Sequence, residues 1–185
     1  NSTGKFDGAF EFGMGDYISL GDKLNNLGFG TTISLWFKGD RFYISSDKYG
    51  SHRGMHFFSN YIGFGNLTSS GCSSGSSVNR RHFTASVPNF DDGNWHHFVG
   101  IWNNDTDLRF YLDGVQRNGT YDGTATDIGR TSDEFTIGTF TRDSIANCDI
   151  LESTNGTIDE VRIWNRSLTA DEVYQQYISN LQKFN

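Results

Sequence analysis

The sequence predicts an all-β chain, a sandwich or a barrel, with one helix near its C-terminal end. Three observations support this prediction. Short strand-like segments recur roughly every 8–12 residues along the chain. The turns between them must come from Gly, Asn and Asp, because there are 22 glycines and one proline. Helical periodicity is confined to segment 167–181. A length of 185 residues fits one domain, so we predict a single domain over residues 1–185.

About ten segments have the composition of short strands. In chain order they are AFEF (9–12), DYISL (16–20), TISLWFKG (32–39), RFYISSD (41–47), GMHFFSNYIGFG (54–65), RHFTASV (81–87), NWHHFVGIWN (94–103), DLRFYLDGVQRNG (107–119), EFTIGTF (134–140) and GTIDEVRIWN (156–165). Segment 32–39 alternates apolar and polar residues, as a half-buried strand does. Asp113-Gly114 is a strong signal for a two-residue hairpin turn. This series of strands and turns is typical of a sandwich or barrel.

Segment 167–181, SLTADEVYQQYISNL, predicts the helix. Thr169 is a good N-cap, and Glu172 three residues later completes a capping box. Val173, Tyr177 and Leu181 share one apolar face, which we expect to pack on an edge or end of the sandwich.

Both cysteines lie in polar segments that are predicted to be loops. Cys72 lies in the Gly/Ser-rich segment 65–79, and Cys148 lies in segment 143–155. We predict a disulfide between them, with two free thiols as the alternative. Closing a loop of this length would stabilise the fold by roughly 4 kcal/mol.

The charge and the glycosylation motifs concern partners and location. A net charge of −7 argues against nucleic acid or an anionic membrane as the main partner. No apolar run reaches the roughly 20 residues of a membrane helix, so we predict no membrane insertion. Six Asn-X-Ser/Thr motifs predict a glycosylated extracellular surface, although an Asn- and Thr-rich composition alone would produce several of them. Their asparagines are Asn1, Asn66, Asn104, Asn118, Asn155 and Asn165.

The sequence predicts no catalytic residues. Asp159 and Glu160 are adjacent on a predicted strand, so they should point to opposite faces and not act together on one substrate. For the same reason, one of His96 and His97 should point inward and the other toward solvent. No hydrolase elbow, phosphate loop or zinc-protease helix is present in the sequence.

Aromatic side chains are the candidates for contacts with a sugar. Core packing is the more frequent role of an aromatic residue in such a chain. Tyr49 and Tyr121 lie in loop-like segments and are therefore the predicted ligand-binding residues. Four further aromatics could also be exposed, namely Trp36, Tyr43, Tyr61 and Trp102.

Five elements, taken in order, resemble the laminin-G-like branch of the concanavalin A-like lectin/glucanase superfamily, which also includes the pentraxins. They are segment 4–22, TISLWFK (32–38), NWHHFVGIWN (94–103), LRFYLDGV (108–115) and GTIDEVRIWNRSLTADEV (156–173). The resemblance spans nearly the whole chain. It implies a jelly-roll sandwich of two antiparallel sheets, in which the C-terminal strand lies beside the N-terminal one and a short helix follows.

The resemblance also implies roles for acidic residues. Asp159 would be structural or part of a calcium site near the chain ends, and Asp16 matches one acidic position of the family's N-terminal motif. A second acidic residue of that motif is missing here, and the nearby Asp7 could replace it. Glu160 and Arg162 should share a sheet face and pair there.

Two functions fit these observations. The first is a non-catalytic recognition or adhesion module, at the cell surface or secreted, that binds glycan or a cell-surface protein with or without calcium. Its working surface would be the loop rim and the concave sheet. The second is a structural subunit that assembles with copies of itself, because the strand-like N-terminal segment 1–12 could pair with a neighbouring sheet edge.

Overall fold

The computed structural model describes residues 2–5, 8–22, 24, 27–46, 54–65, 80–128, 134–141 and 151–181. These residues form sixteen strands and one helix, α1 (Ala170–Leu181). The strands are β1 (Ser2–Thr3), β2 (Gly8–Phe12), β3 (Ile18–Ser19), β4 (Thr31–Arg41), β5 (Tyr43–Ser45), β6 (Gly54–Phe58), β7 (Tyr61–Gly65), β8 (Arg80–Ala85), β9 (His96–Asn104), β10 (Asp107–Leu112), β11 (Val115–Arg117), β12 (Gly119–Gly123), β13 (Thr136–Ile137), β14 (Thr139–Thr141), β15 (Leu151–Ser153) and β16 (Asn155–Trp164). The predicted all-β chain with one C-terminal helix is confirmed.

Fourteen of the strands form two seven-stranded antiparallel sheets. The first sheet has the order β1-β2-β16-β4-β9-β10-β11, and the second has the order β12-β8-β7-β6-β5-β13-β3. Strands β14 and β15 form a small separate hairpin. The chain passes from the edge strand β11 to the edge strand β12 through a single residue, Asn118. The architecture is the predicted two-sheet jelly-roll sandwich, with β16 beside β2 as expected.

Aromatic rings fill the space between the two sheets. The ring of Phe42 lies 5.3 Å from that of Phe37, 5.1 Å from that of Phe57 and 4.9 Å from that of Phe98, in edge-to-face arrangements. Burying each of these side chains contributes about 2–3 kcal/mol. The Nε1–H group of Trp102 in the first sheet donates to the carbonyl of Gly63 in the second, at 2.9 Å. The core therefore carries a directional bond between the sheets as well as apolar contact.

A smaller core lies on the outer face of the first sheet, beneath α1. Its buried members are Val99, Ile101, Tyr111, Leu168 and Val173. Beside them, the ring of Tyr177 lies over the rings of Trp36 and His97, at 5.9 Å and 6.1 Å. The helix thus covers the sheet face opposite the main core. The expectation that the helix packs on an edge or end of the sandwich is therefore wrong, because its apolar side chains meet interior strands of the first sheet.

The start of α1 is the predicted capping box. The N–H group of Glu172 donates to Oγ1 of Thr169 at 3.2 Å, and the N–H group of Thr169 donates to a carboxylate oxygen of Glu172 at 2.8 Å. Each residue satisfies a backbone donor that the first helical turn leaves open.

Strand β16 contains a bulge that interrupts the alternation expected for Asp159 and Glu160. Asp159 pairs with Trp36 and Arg162 pairs with Ser34, so three steps on β16 face two on β4. Glu160 accommodates the extra residue with a φ of 50°. The predicted ion pair between Glu160 and Arg162 is present, and Arg162 also donates to Gln176 of α1 at 2.6 Å. The bulge therefore links the C-terminal strand to the helix.

Several predicted boundaries were too coarse. Segment 54–65 is a hairpin of β6 and β7 and not one strand, with Ser59 and Asn60 in the turn. Segment 143–155 is not loop throughout, because Leu151–Ser153 pairs with Thr139–Thr141. Among the described residues, the helix lacks the length and hydropathy of a membrane-spanning segment.

Candidate functional site

An open groove lies at one end of the sandwich, and three chain segments form its walls. The first is the end of β4 with the start of β5, and the second is the β6–β7 turn. The third is part of the loop that follows β8. The groove has a volume of about 500 Å³ and is lined by Asp40, Arg41, Phe42, Tyr43, Phe58, Ser59, Asn60, Tyr61, Val87, Pro88, Asn89 and Phe90. This volume is typical of sites for small ligands.

Three aromatic rings form a row in the groove. The rings of Tyr43 and Phe58 lie 4.7 Å apart, and those of Phe58 and Tyr61 lie 4.5 Å apart. Tyr43 and Phe58 are cross-strand partners, and so are Phe58 and Tyr61. The sheet register therefore places the three rings next to one another in edge-to-face contact, with Phe58 buried and the flanking Tyr43 and Tyr61 partly exposed to the groove.

Backbone hydrogen bonds fix the segments around this row. The N–H group of Phe42 donates to Oγ of Ser59 at 2.7 Å, and the N–H group of Ala85 donates to the carbonyl of Asn60 at 2.8 Å. The second bond joins the β6–β7 turn to the end of β8. The groove is thus built largely from ordered backbone, which favours a preformed binding surface.

The polar groups of the groove balance in charge. Arg41 lies 3.3 Å from Oδ2 of Asp40, and this carboxylate raises the pKa of Arg41. Within the described part of the chain, no hydrogen-bond donor reaches the buried Oδ1 of Asp40. The side chains of Asn60 and Asn89 are exposed at the rim. An aromatic row with amide groups and a compensated charge pair suits a neutral or weakly charged polar ligand.

The predicted calcium ligands lie on different elements, Asp16 in the turn after β2 and Asp159 on β16, an interior strand of the first sheet. Oδ2 of Asp16 accepts the N–H group of Gly13 at 2.9 Å, in the exposed turn after β2. Asp159 is 9% exposed, and its Oδ1 accepts the N–H group of Glu160 at 2.8 Å. Asp159 lies three residues along β16 from Gly156, the partner of Phe12, which is about 10 Å in a strand. The two carboxylates therefore do not meet, and Asp7 lies outside the described residues.

The other acidic and histidine side chains do not complete a metal site either. In the parts of the chain that the structure describes, no group of three or more His, Cys, Asp or Glu side chains could hold an ion together. Calcium binding stays a prediction, because Asp7 and other residues lie outside the described part of the chain.

Tyr121, a predicted ligand-binding residue, has a structural contact. Its hydroxyl accepts the N–H group of Leu108 at 2.9 Å and donates to the carbonyl of Leu108 at 3.1 Å. Because β12 and β10 belong to different sheets, these bonds join the sheets near the edge. The structure thus places Tyr121 away from the residues that line the groove. Tyr49 lies outside the described residues.

The remaining predicted sites are only partly described. Cys72 and Cys148 lie outside the described residues, as do Asn1 and Asn66, so the disulfide stays a prediction. The other four motif asparagines are exposed, which gives an attached sugar room. They are Asn104, Asn118, Asn155 and Asn165. Their glycosylation also stays a prediction.

Sequence reasoning considered Tyr43 and Tyr61 but ranked them below the two loop tyrosines. It missed Phe58 and the two rim asparagines. One available signal was the dipeptide Ser59-Asn60 between two apolar runs, which predicts a hairpin and places the flanking Phe58 and Tyr61 opposite each other. The contribution of segment 86–90 has no comparable local signal.

A laminin G-type family model, described as the concanavalin A-like lectin/glucanases superfamily, matches residues 12–174. The chain belongs to this superfamily. The resemblance of its sequence motifs is therefore confirmed. No curated protein sequence matches the chain significantly.

Solved structures of the superfamily show how widely this fold is shared. The CBM40 of the Ruminococcus gnavus IT-sialidase, bound to α2,3-sialyllactose, is similar with a TM-score of 0.59 and 12% identity, over 91% of this chain and 96% of the other. A heptameric SAP-like pentraxin from Limulus polyphemus is similar at 0.50 and 14%, over 91% and 80%. Domains LG4-5 of the mouse laminin α1 chain are similar at 0.50 and 18%, over 84% and 40%. At such low identities, these likenesses show the shared fold alone.

Proposed function

We propose that this chain is a non-catalytic extracellular recognition module that binds glycan in the groove between β4–β5, the β6–β7 turn and segment 86–90. The observation that carries the proposal is the row formed by Tyr43, Phe58 and Tyr61 beside exposed amide side chains. Aromatic faces offer apolar area to the C–H face of a sugar ring, and amide and carboxylate groups bind its hydroxyls. The sialyllactose bound by the CBM40 relative supports a glycan as the ligand class.

Asp40 adds a hydrogen-bond acceptor to this proposal, because its side chain is 34% exposed and lines the groove. Arg41 neutralises the carboxylate. The groove therefore offers a hydroxyl-rich ligand partly exposed tyrosine rings together with a partly exposed carboxylate.

The test is an NMR titration of the isotope-labelled protein with lactose and with α2,3-sialyllactose. Binding should shift the backbone amides of Tyr43, Asn60, Tyr61 and Asn89. Tyr61→Ala should weaken binding about tenfold or more, because aromatic anchors carry most of the energy of such sites. Tyr174→Ala is the matched control, since Tyr174 is an exposed tyrosine on α1. If none of a broad panel of glycans shifts these amides in the titration, the proposal is contradicted.

A second candidate function, a self-assembling subunit, is favoured by the exposed apolar side chains at the β2 edge. Phe10, Met14 and Tyr17 are 60%, 94% and 56% exposed. In the described residues, β1 pairs only with Gly8 and Ala9 of β2. Sedimentation and thermal unfolding, each in calcium and then in EDTA, test this function together with the calcium prediction. A monomer in both conditions would contradict assembly, and identical stability in both would contradict a structural calcium ion.

A further inference from the structure

His96, at the start of β9, contacts two carboxylates through its two ring nitrogens. Nδ1 lies 2.8 Å from Oδ2 of Asp113, and Nε2 lies 3.1 Å from Oδ1 of Asp92. The side chain of His96 is only 16% exposed, so water competes little for either nitrogen. These contacts place one imidazole ring between two acceptors.

The geometry determines the protonation state that satisfies both contacts. A neutral imidazole has one N–H donor and one bare nitrogen, whereas the imidazolium has two donors. In the neutral form, one of the two carboxylates would face a lone pair. Burial by itself would lower the pKa of His96, but the hydrogen bonds and charges of Asp113 and Asp92 raise it above its ordinary value. Both observations indicate that the bridging form is the imidazolium.

The two carboxylates belong to elements of different kinds. Asp113 is fixed in the β10–β11 turn, where its N–H group donates to the carbonyl of His97 and its Oδ1 accepts the N–H group of His97, at 2.8 Å and 2.9 Å. Asp92 belongs to segment 86–95, which connects β8 to β9. The protonated ring of His96 therefore ties this connection to a rigid hairpin.

Segment 86–95 also supplies one wall of the groove, through Val87, Pro88, Asn89 and Phe90. Phe90 lies only two residues from Asp92, and its ring packs on Phe98 at 5.3 Å. Asp92 is therefore separated from the rim residues of the groove by only a very short stretch of chain, which is anchored at Phe90.

We infer that His96 is a positioning residue of the groove: its imidazolium holds the wall formed by residues 87–90 in the binding position, and loss of its proton loosens that wall and weakens binding. The inference rests on the function proposed for the groove and adds an acid-dependent affinity to it.

Other charged groups around the ring do not account for such a switch. In the described part of the chain, the charged groups within hydrogen-bonding distance of His96 are Asp92 and Asp113. Hydrogen bonds from the Asn94 amide and side chain, and from His96, lower the pKa of Asp92 to about 2, so it is charged throughout the neutral range. On α1, Tyr177 lies close enough to Asp113 for the negative charge of Asp113 to affect the Tyr177 hydroxyl. Burial and that charge raise the pKa of Tyr177, which stays neutral there.

The experiment has an arm without ligand. The ring signals of His96 and the backbone order of residues 87–90, from ¹⁵N relaxation, are measured between about pH 5 and about pH 9, which brackets histidine titration. Order in residues 87–90 should fall as His96 loses its proton. Unchanged order through that titration would overturn the inference, whether or not any glycan binds.

A second arm uses α2,3-sialyllactose as the probe. Its affinity should fall about threefold to tenfold as His96 deprotonates, a modest change because Asp92 is partly exposed. His96→Ala should bind weakly at every pH. If the wild-type affinity is the same at both ends of the range while the groove amides still shift, the positioning role fails and the groove function stands. If the probe shifts nothing at any pH, the groove function fails and the first arm alone decides.

Asp113→Asn is the decisive variant and also guards against misfolding of His96→Ala. Residue 113 has a φ of 53°, which asparagine tolerates well. Its amide can donate to the bare Nδ1 of neutral His96 and still accept the N–H group of His97. Neutral His96 can then satisfy both partners. The variant should lose the pH dependence of both loop order and affinity; if it keeps the wild-type profile, the inference is wrong.

Discussion

Adjacent histidines on β9 respond to acid in opposite ways. His96 lies between two carboxylates, which favour its charged form. His97 lies under α1, beside the ring of Trp36 and below that of Tyr177, and burial followed by the charge of Arg162 lowers its pKa to about 3. Within the described residues, no group reaches its buried Nδ1. Protonation of His97 at low pH therefore destabilises the folded protein, whereas protonation of His96 stabilises it.

His97→Phe should make the protein less sensitive to acid. Between the ordinary histidine pKa of 6.5 and about 3, the unfolded chain carries a proton on His97 that the folded chain does not. The free energy of unfolding therefore rises with pH in this window, and the His97 contribution amounts to at most about 1.4 kcal/mol per pH unit. Phenylalanine keeps the ring packing and removes this dependence.

Urea denaturation of both proteins across that pH window measures the effect. Other titrating groups contribute equally to the two proteins, so the difference between the slopes reports His97 alone. Parallel pH profiles would show that His97 is protonated in the folded protein, which would contradict its burial as a neutral ring.

At the scale of elements, the C-terminal helix depends on its first turn. The capping box of Thr169 and Glu172 satisfies two backbone donors, and Arg166 contacts both carboxylate oxygens of Glu172, at 2.7 Å and 2.9 Å. Those contacts and the bond to Thr169 lower the pKa of Glu172 to about 2. Since α1 is the cover of the outer core, fraying of this turn would expose Leu168 and Val173.

Thr169→Ala should lower the free energy of unfolding by about 1 kcal/mol, the usual cost of removing an N-cap hydroxyl. Ser179→Ala is the matched control, because its hydroxyl makes only an exposed contact within the helix, to the carbonyl of Gln176 at 3.3 Å. Equal losses for the two variants in chemical denaturation would mean that the cap does not stabilise the helix.

At the scale of the whole molecule, polar bonds cross between the two sheets in addition to the apolar contacts of the core. Trp102 bonds to the carbonyl of Gly63 in the interior, and Tyr121 bonds to both backbone groups of Leu108 near the edge. Apolar packing tolerates small sliding, whereas these bonds require one relative placement. They therefore fix how the two sheets are aligned.

Tyr121→Phe should destabilise the protein by about 1 kcal/mol, because the backbone groups of Leu108 lose a partner that solvent replaces only partly. Tyr17→Phe serves as the control, since more than half of the surface of Tyr17 is exposed to solvent. Thermal and urea unfolding measure both. A Tyr121→Phe variant as stable as wild type would show that water substitutes fully for the hydroxyl.

The sequence predicted what depends on local signals. The capping box, the Asp113-Gly114 hairpin and the pairing of Glu160 with Arg162 each follow from residues close together in the chain. The groove does not, because its aromatic row depends on the register of β5, β6 and β7 and its third wall comes from a loop after β8. The bond of Tyr121 across the sheets to Leu108 could not be predicted for a related reason, because its loop-like sequence gives no sign of it, and a ligand-binding role of Tyr121 stays a prediction.

The single-residue passage at Asn118 has a mechanical consequence. Along one long side, a single residue joins β11 to β12, so the two sheets cannot separate there. The two sheet orders place β1 and β3 at the opposite side, where each is the edge strand of its sheet. Each of these strands has only two residues, so few backbone hydrogen bonds stabilise that side of the sandwich. The chain also crosses between the sheets through the single residue Phe42, from β4 to β5. Thermal opening should therefore begin at the side of β1 and β3 and stop at this second crossing.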